Sequence, residues 1–213
     1  MTKRTILCLK SAVWVAGLMP LVRLFYSGLT GSLGANPIEF IALSTGTWTL
    51  VFLLCTLSIT PLRRVTAQPW LIRSRRLLGL FAFFYASLHF VTYVWLDKFF
   101  DLSDMWKDVV RRRFITAGFL AFVLLIPLAA TSTAWAIRKI GGRRWVLLHR
   151  MIYLSAMAGV VHFWWKVKAD TRWPAIYASL LAVLLTYRLA VALVHKAGAR
   201  ADRISASQSR QQG

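Results

Sequence analysis

The sequence predicts an all-α fold, an integral membrane bundle of six transmembrane helices, and three observations carry that prediction. Hydrophobic residues make up 58% of the 213-residue chain, they gather into long runs, and basic residues collect between alternate runs. Runs of about 20 apolar residues exceed what a soluble core needs and match the thickness of a bilayer.

The runs are Ser11 to Ser27, Phe40 to Thr60, Leu77 to Leu96, Phe114 to Ile137, Trp145 to Trp165 and Ala175 to Val194. The first holds Pro20 and Arg23 and follows a basic start (Lys3, Arg4, Lys10), so it has the outline of a signal peptide. The SLGANP stretch after it lacks a small-x-small cleavage site, and the run reads as a retained span. The second run ends at the basic TPLRR, and Arg73, Arg75 and Arg76 lead into the third. Arg111, Arg112 and Arg113 precede the fourth, GGRR precedes the fifth, and the sixth runs into a polar tail. Three parts follow: a cytoplasmic N-terminus over 1–10, a membrane domain over 11–194 and a basic cytoplasmic tail over 195–213.

A formal charge of +20 would suggest nucleic acid in a soluble protein, but its placement here points to a membrane surface and no nucleic acid. The N-terminus, TPLRRVTAQPWLIRSRR, IRKIGGRR and the tail hold most of the Lys and Arg and a single acid, Asp202. Glu39, Asp97, Asp101, Asp104, Asp108 and Asp170 occupy the alternate connections. By the positive-inside rule both termini are cytoplasmic in a multi-pass membrane protein. WKDVVRRRF places arginines on the outer side and reads as an interfacial segment at headgroup level. Cys8 and Cys55 fall on the cytoplasmic side and within a span, where no structural disulfide is expected. CxxCH, GxGxxG and GxxxxGK[ST] motifs are all absent.

An ionisable residue inside a span is costly and is a functional hypothesis by default. His89 lies in the third span, and His149 and His162 in the fifth. These two spans run parallel, so depth can be counted. His89 lies roughly 12 residues, about 18 Å, into its span and His162 roughly 17 residues into its own, so both stand in the outer half. Two imidazoles at matched depth are what a low-spin haem iron takes as axial ligands, which places haem between the third and fifth helices. Ala86, Ala82 and Gly79 precede His89 at helical spacing, and Gly159, Ala158 and Ser155 precede His162. Such stripes leave room for a flat macrocycle and equally let helices pack closely.

His149 lies near the inner surface, level with Arg75. A second haem there would have one clear ligand, and Arg75, always protonated, suits a propionate better than the iron. On an ideal helix His149 and His162 point about 140° apart, so either they serve sites on different sides or the fifth span is distorted at its inner end, and a distortion of the π-bulge kind is the preferred expectation. His195 reads as a solvated surface residue, and Trp95, Trp164, Trp165 and Trp173 as an outer aromatic belt.

SITPLRR, then IRSRRLLGL followed by His89, then GGRRWVLLHRMIY followed by His162, resemble the ferric-reductase-like transmembrane superfamily. Within it they resemble the haem-binding membrane subunits of bacterial periplasmic methionine-sulfoxide reductase systems, over nearly the whole chain. The resemblance implies a b-type cytochrome of the bacterial inner membrane with one or two haems b on His89, His149 and His162. It also implies FMN, electrons drawn from the quinone pool or a cytosolic flavin donor, and a heterodimer with a periplasmic molybdopterin subunit. That subunit, not this chain, would reduce methionine sulfoxide in oxidised proteins. One departure is visible: many relatives carry a histidine where this chain has Leu43. Two further readings stay open. One is a self-sufficient haem ferric or quinone reductase, and the other is a cofactor-free transporter or assembly factor whose histidines bind protons or metals.

Overall fold

A computed structural model describes residues 3–211. Among them every element is helical: α1 Lys3–Leu29, α2 Pro37–Thr66, α3 Ile72–Val91, α4 Leu102–Arg111, α5 Arg113–Ala130, α6 Ala134–Ile140, α7 Gly142–His149, α8 Met151–Lys166 and α9 Arg172–Gln211. A single 3-10 turn, Pro69–Leu71, leads into α3, and a π-helical turn, Thr92–Asp97, prolongs it. Six segments are long and apolar enough to cross a membrane. They match the six expected runs in number and order, and the chain is a multi-pass membrane protein.

Two helix pairs build the bundle, α2 on α3 and α5 on α8, with α3 also touching α5 and α9 lying against α2 and α8. The core between them is aliphatic and aromatic: Leu53, Leu57, Phe81, Tyr85, Leu125 and Ala156 are all buried. Ser155 is fully buried and spends its hydroxyl on the Ala121 carbonyl of α5 at 2.9 Å. α1 stands at the edge, held by a rung inserted at its proline. The Tyr85 hydroxyl accepts from Leu21 N at 3.1 Å and donates to Gly17 O at 2.8 Å, so a side chain from α3 bridges two backbone groups one turn apart beside Pro20. Gly17 permits that approach, since a Cβ there would collide with the Phe81 ring.

Three expected boundaries are corrected. The fourth run stops at Ala130 and not at Ile137. Past Pro127, Thr131 Oγ1 and Ser132 Oγ turn back to the Pro127 and Leu128 carbonyls at 2.6 Å each, and Thr133 caps the separate helix α6. The last helix continues beyond its membrane-length part, Arg172–Gly198, to Gln211. The fifth run does break at its inner end, between α7 and α8, but the break tightens the helix. Arg150 N donates to Leu147 O and Tyr153 N to Arg150 O, both at 3.1 Å and both three residues apart. The π-helical turn lies instead at the far end of the third span.

The interfacial segment forms α4, an amphipathic helix that exposes Leu102, Trp106 and Val110. Its polar side closes on Lys98, whose ammonium sits 2.5 Å from Asp104 and 2.7 Å from Asp108, while Arg112 Nε lies 3.0 Å from the other Asp108 oxygen. These bonds hold the Lys98 ammonium above, and the Asp104 carboxyl below, their usual titration ranges. Trp95, Trp164, Trp165 and Trp173 are all exposed, as a belt requires. Cys8 and Cys55 are both free. The side chain of His195 lies outside the described residues.

Candidate functional site

A cavity of about 660 Å³ opens between α2, α3, α5 and α8, with α4 across its mouth. His89 from α3 and His162 from α8 both line it, their ring centroids 6.0 Å apart and their planes at 76°. Parallel helices bring the two imidazoles to one level, as counting along the spans anticipates.

Each imidazole is fixed in the same way by a helix that does not carry it. His89 Nδ1 donates to the Ala42 carbonyl of α2 at 2.9 Å, and its ring lies on Gly46, one turn further along α2. His162 Nδ1 donates to the Phe114 carbonyl of α5 at 2.6 Å, and its ring lies on Gly118, one turn along α5. A Cβ at Gly46 would come within 3.1 Å of the His89 ring, and one at Gly118 within 2.6 Å of His162 Nδ1. Proton on Nδ1 leaves the lone pair on Nε2, the arrangement a metal-ligating histidine needs. Thr45, buried beside His89, spends its hydroxyl on Ile41 O at 2.7 Å and stands 3.4 Å from His89 Nδ1. Gly46, Gly118 and Thr45 were not singled out from the sequence. A carbonyl and a glycine four residues later, on the neighbouring helix, is a signal visible only once the helices are paired.

The small-residue stripes divide between the two uses open to them. Ala86 and Gly159 line the cavity. Ala82 is fully buried in the core, Gly79 faces Thr56 of α2, and Ser155 bonds α5, so these three let helices meet. Leu43 lines the cavity.

His149 lies away from this cavity, at the last residue of α7. Its Nδ1 donates to the Trp145 carbonyl at 3.1 Å, its ring stacks on the Trp145 indole at 3.8 Å, and Nε2 is buried with no hydrogen-bond partner. Arg75, half-buried in the first turn of α3, is within electrostatic reach of it, whereas Arg76 is exposed. The two levels expected from the sequence are thus present, with His89 and His162 brought together and His149 with Arg75 set apart from them.

The donor set suits a haem. Among the described residues no group of three or more His, Cys, Asp or Glu side chains could hold a metal ion. Two facing imidazoles alone suit a metal whose remaining ligands come from a macrocycle. A separation of 6.0 Å between the ring centroids leaves room for one metal ion between the two rings. The cavity volume falls within the 300–1,000 Å³ common for cofactor sites.

Comparison with known proteins agrees. The family model described as ferric reductase like transmembrane component matches residues 43–160, a stretch that holds His89 and His149 and ends two residues before His162. The chain belongs to the ferric-reductase-like transmembrane family. It is 56% identical over 183 residues to the protein-methionine-sulfoxide reductase heme-binding subunit MsrQ of Herminiimonas arsenicoxydans, covering 85% of this chain and 84% of the relative. The protein of the same name from Ralstonia nicotianae is 50% identical over 188 residues, 87% of each chain, and that from Rhodospirillum rubrum is 46% identical over 190 residues, 89% of this chain and 91% of the relative. No solved structure matches the chain. Membership of the family accounts for the helical bundle.

Proposed function

We propose that this chain is the b-type cytochrome subunit of a methionine-sulfoxide reductase system, carrying electrons across the inner membrane to a periplasmic molybdopterin-containing subunit that does the reduction. The observation that carries the reading is the facing pair His89 and His162, each with Nδ1 tied to a carbonyl of the neighbouring helix. The relatives' name, heme-binding subunit of a protein-methionine-sulfoxide reductase, supports both the haem and the assembly.

Haem b bound between these imidazoles supplies one-electron exchange at its iron. The chain's own residues do the rest. The Ala42 and Phe114 carbonyls hold each ring in one tautomer and raise the donor strength of Nε2. Gly46 and Gly118 set how closely each ring approaches its neighbouring helix. Leu50, Phe90, Phe119 and Phe122 make the cavity wall apolar and keep water from the centre.

At the other level the buried Nε2 of His149 would hold the iron of a second haem, and Arg75 would pair with one of its carboxylates. Two levels make a relay, with electrons entering at the α7 end from the quinone pool or a cytosolic flavin donor. The distribution of charge supports cytoplasmic termini and a periplasmic α4. FMN, implied by resemblance alone, plays no part in this reading.

The test begins with purified protein reduced by dithionite, then mixed with a relative's molybdopterin subunit and a peptide bearing methionine sulfoxide. The reading expects a low-spin haem spectrum and reoxidation that depends on both additions. Fast reduction of iron chelates without a partner would instead make the chain a self-sufficient reductase. A colourless preparation from haem-sufficient cells would make it a transporter or assembly factor.

A further inference from the structure

Two partly buried arginines, Arg75 and Arg188, stand at the α7 end of the bundle, and neither has an acidic partner among the described residues. Arg188 of α9 sends one terminal nitrogen to the Tyr153 hydroxyl of α8 and the other to the Leu57 carbonyl of α2, both at 2.7 Å. That carbonyl is free to accept because Pro61, four residues on, has no N–H to give it. The guanidinium also lies over the Tyr153 ring, 5.2 Å from its centroid. Its third nitrogen, Nε, is buried without a partner, as is Thr60 Oγ1 just beyond Leu57 on α2. Arg75 is within electrostatic reach of Arg188, Tyr153 and His149.

Neither arginine has a salt bridge among the described residues. Glu39, Asp97, Asp101, Asp104, Asp108 and Asp170 all belong to the α4 end. The helix position of Asp202 lies 14 residues further along α9, about 21 Å of helix beyond Arg188. A guanidinium cannot shed its proton to escape the cost of burial, and two of them in a low-dielectric interior repel each other. Ordinary positive-inside anchors look different: Arg63, Arg64, Arg73 and Arg76 are all exposed to the surroundings, and Arg75 and Arg188 are not.

We propose that Arg188 and Arg75 form a receptor for the anionic group, carboxylate or phosphate, of a ligand seated beside His149 at the α7 end of the bundle. Three buried unpartnered polar atoms, Arg188 Nε, Thr60 Oγ1 and His149 Nε2, mark this end of the helices as built for a polar guest. Tyr153 and Leu57 fix the guanidinium so that its fork is oriented before the guest arrives. A haem propionate and a phospholipid headgroup share the required chemistry, and the first source rests on the function proposed above.

Full-length wild type, Arg188→Gln, Arg188→Lys and Arg75→Gln are purified in detergent. Haem per polypeptide, reduction potentials and phosphatidylglycerol retained in native mass spectra are measured for each. Wild-type apoprotein is also reconstituted with haem dimethyl ester, which lacks free carboxylates. A carboxylate guest predicts that Arg188→Gln and Arg75→Gln each lose the His149-dependent haem, or shift its potential. The low-spin signal of His89 and His162 survives, and the ester fills only their site. A phosphate guest predicts unchanged haem, full uptake of the ester and loss of bound phosphatidylglycerol in both glutamine variants. If Arg188→Gln does not fold, Arg188→Lys and the ester decide, with a partial loss expected because a point charge replaces the fork. Wild-type haem content, potentials and phosphatidylglycerol in every foldable variant, with normal ester uptake, overturns the receptor. Wild-type protein with no haem but with arginine-dependent phosphatidylglycerol counts against the proposed function and leaves the receptor standing.

Discussion

Replacing Gly118 with alanine tests whether the neighbouring helices, and not the histidines alone, build the site. The added Cβ would stand 2.6 Å from His162 Nδ1 and 2.9 Å from Cε1. An ordinary contact is about 3.5 Å or more, so the ring must retreat by roughly 1 Å. Retreat carries Nδ1 away from the Phe114 carbonyl that now holds it at 2.6 Å. Overpacking of this kind costs about 1–3 kcal/mol, and loss of the hydrogen bond adds about 1 kcal/mol. At 1.4 kcal/mol per decade, a total of about 2–4 kcal/mol weakens haem retention roughly 30- to 1,000-fold. Gly46→Ala is milder, because its Cβ would stand 3.1 Å from the His89 ring and asks for a shift of a few tenths of an ångström; about tenfold or less is expected. The assay is transfer of haem from each purified variant to excess apomyoglobin, followed by absorbance. Retention by Gly118→Ala equal to wild type, or a larger defect in Gly46→Ala, would refute the reasoning.

Tyr85→Phe removes the hydroxyl that bridges Leu21 N and Gly17 O, and a loss of about 1–3 kcal/mol is expected; thermal unfolding in detergent reads it, and an unchanged midpoint would show that α1 is held otherwise. The Lys98 node gives α4 a pH window. The raised Lys98 value means its contribution is complete below the usual lysine range and fades as pH rises past its folded-state value, while the lowered Asp104 value means its contribution is complete above the usual carboxylate range and fades as pH falls past its folded-state value. Hydrogen-exchange protection over Leu102–Arg111, corrected for the intrinsic pH dependence of amide exchange, should therefore be level between about pH 5 and 9 and fall below about pH 4; loss of protection within the plateau would count against the node. Reporter fusions after Ser209 should be active only in the cytoplasm, and activity only outside would reverse the topology.

Six spans were legible because bilayer thickness imposes its length on sequence directly, and charge between spans needs no tertiary information. His89 and His162 were legible for the same reason: parallel spans turn residue counting into depth. Boundaries were less so. The stop at Ala130 depends on hydroxyls of Thr131 and Ser132 turning back to carbonyls, which competes with helix continuation only locally. The break at Arg150 was foreseen and its kind was not, since an extra or a missing residue in a turn both rotate the following face. Gly46, Gly118 and Arg188 were invisible because each matters through a neighbour far away in sequence. The stripes beside the histidines mixed cavity lining with packing, and only Ala86 and Gly159 proved to face the cavity.

The central claim is that His89 and His162 together hold one low-spin haem. Low-temperature electron paramagnetic resonance of the oxidised wild type, His89→Ala, His162→Ala and His149→Ala, each purified and inserted, tests it most directly. The account predicts a bis-imidazole low-spin signal in the wild type, its loss in both His89→Ala and His162→Ala, and its survival in His149→Ala. A full low-spin signal in either of the first two variants would contradict it.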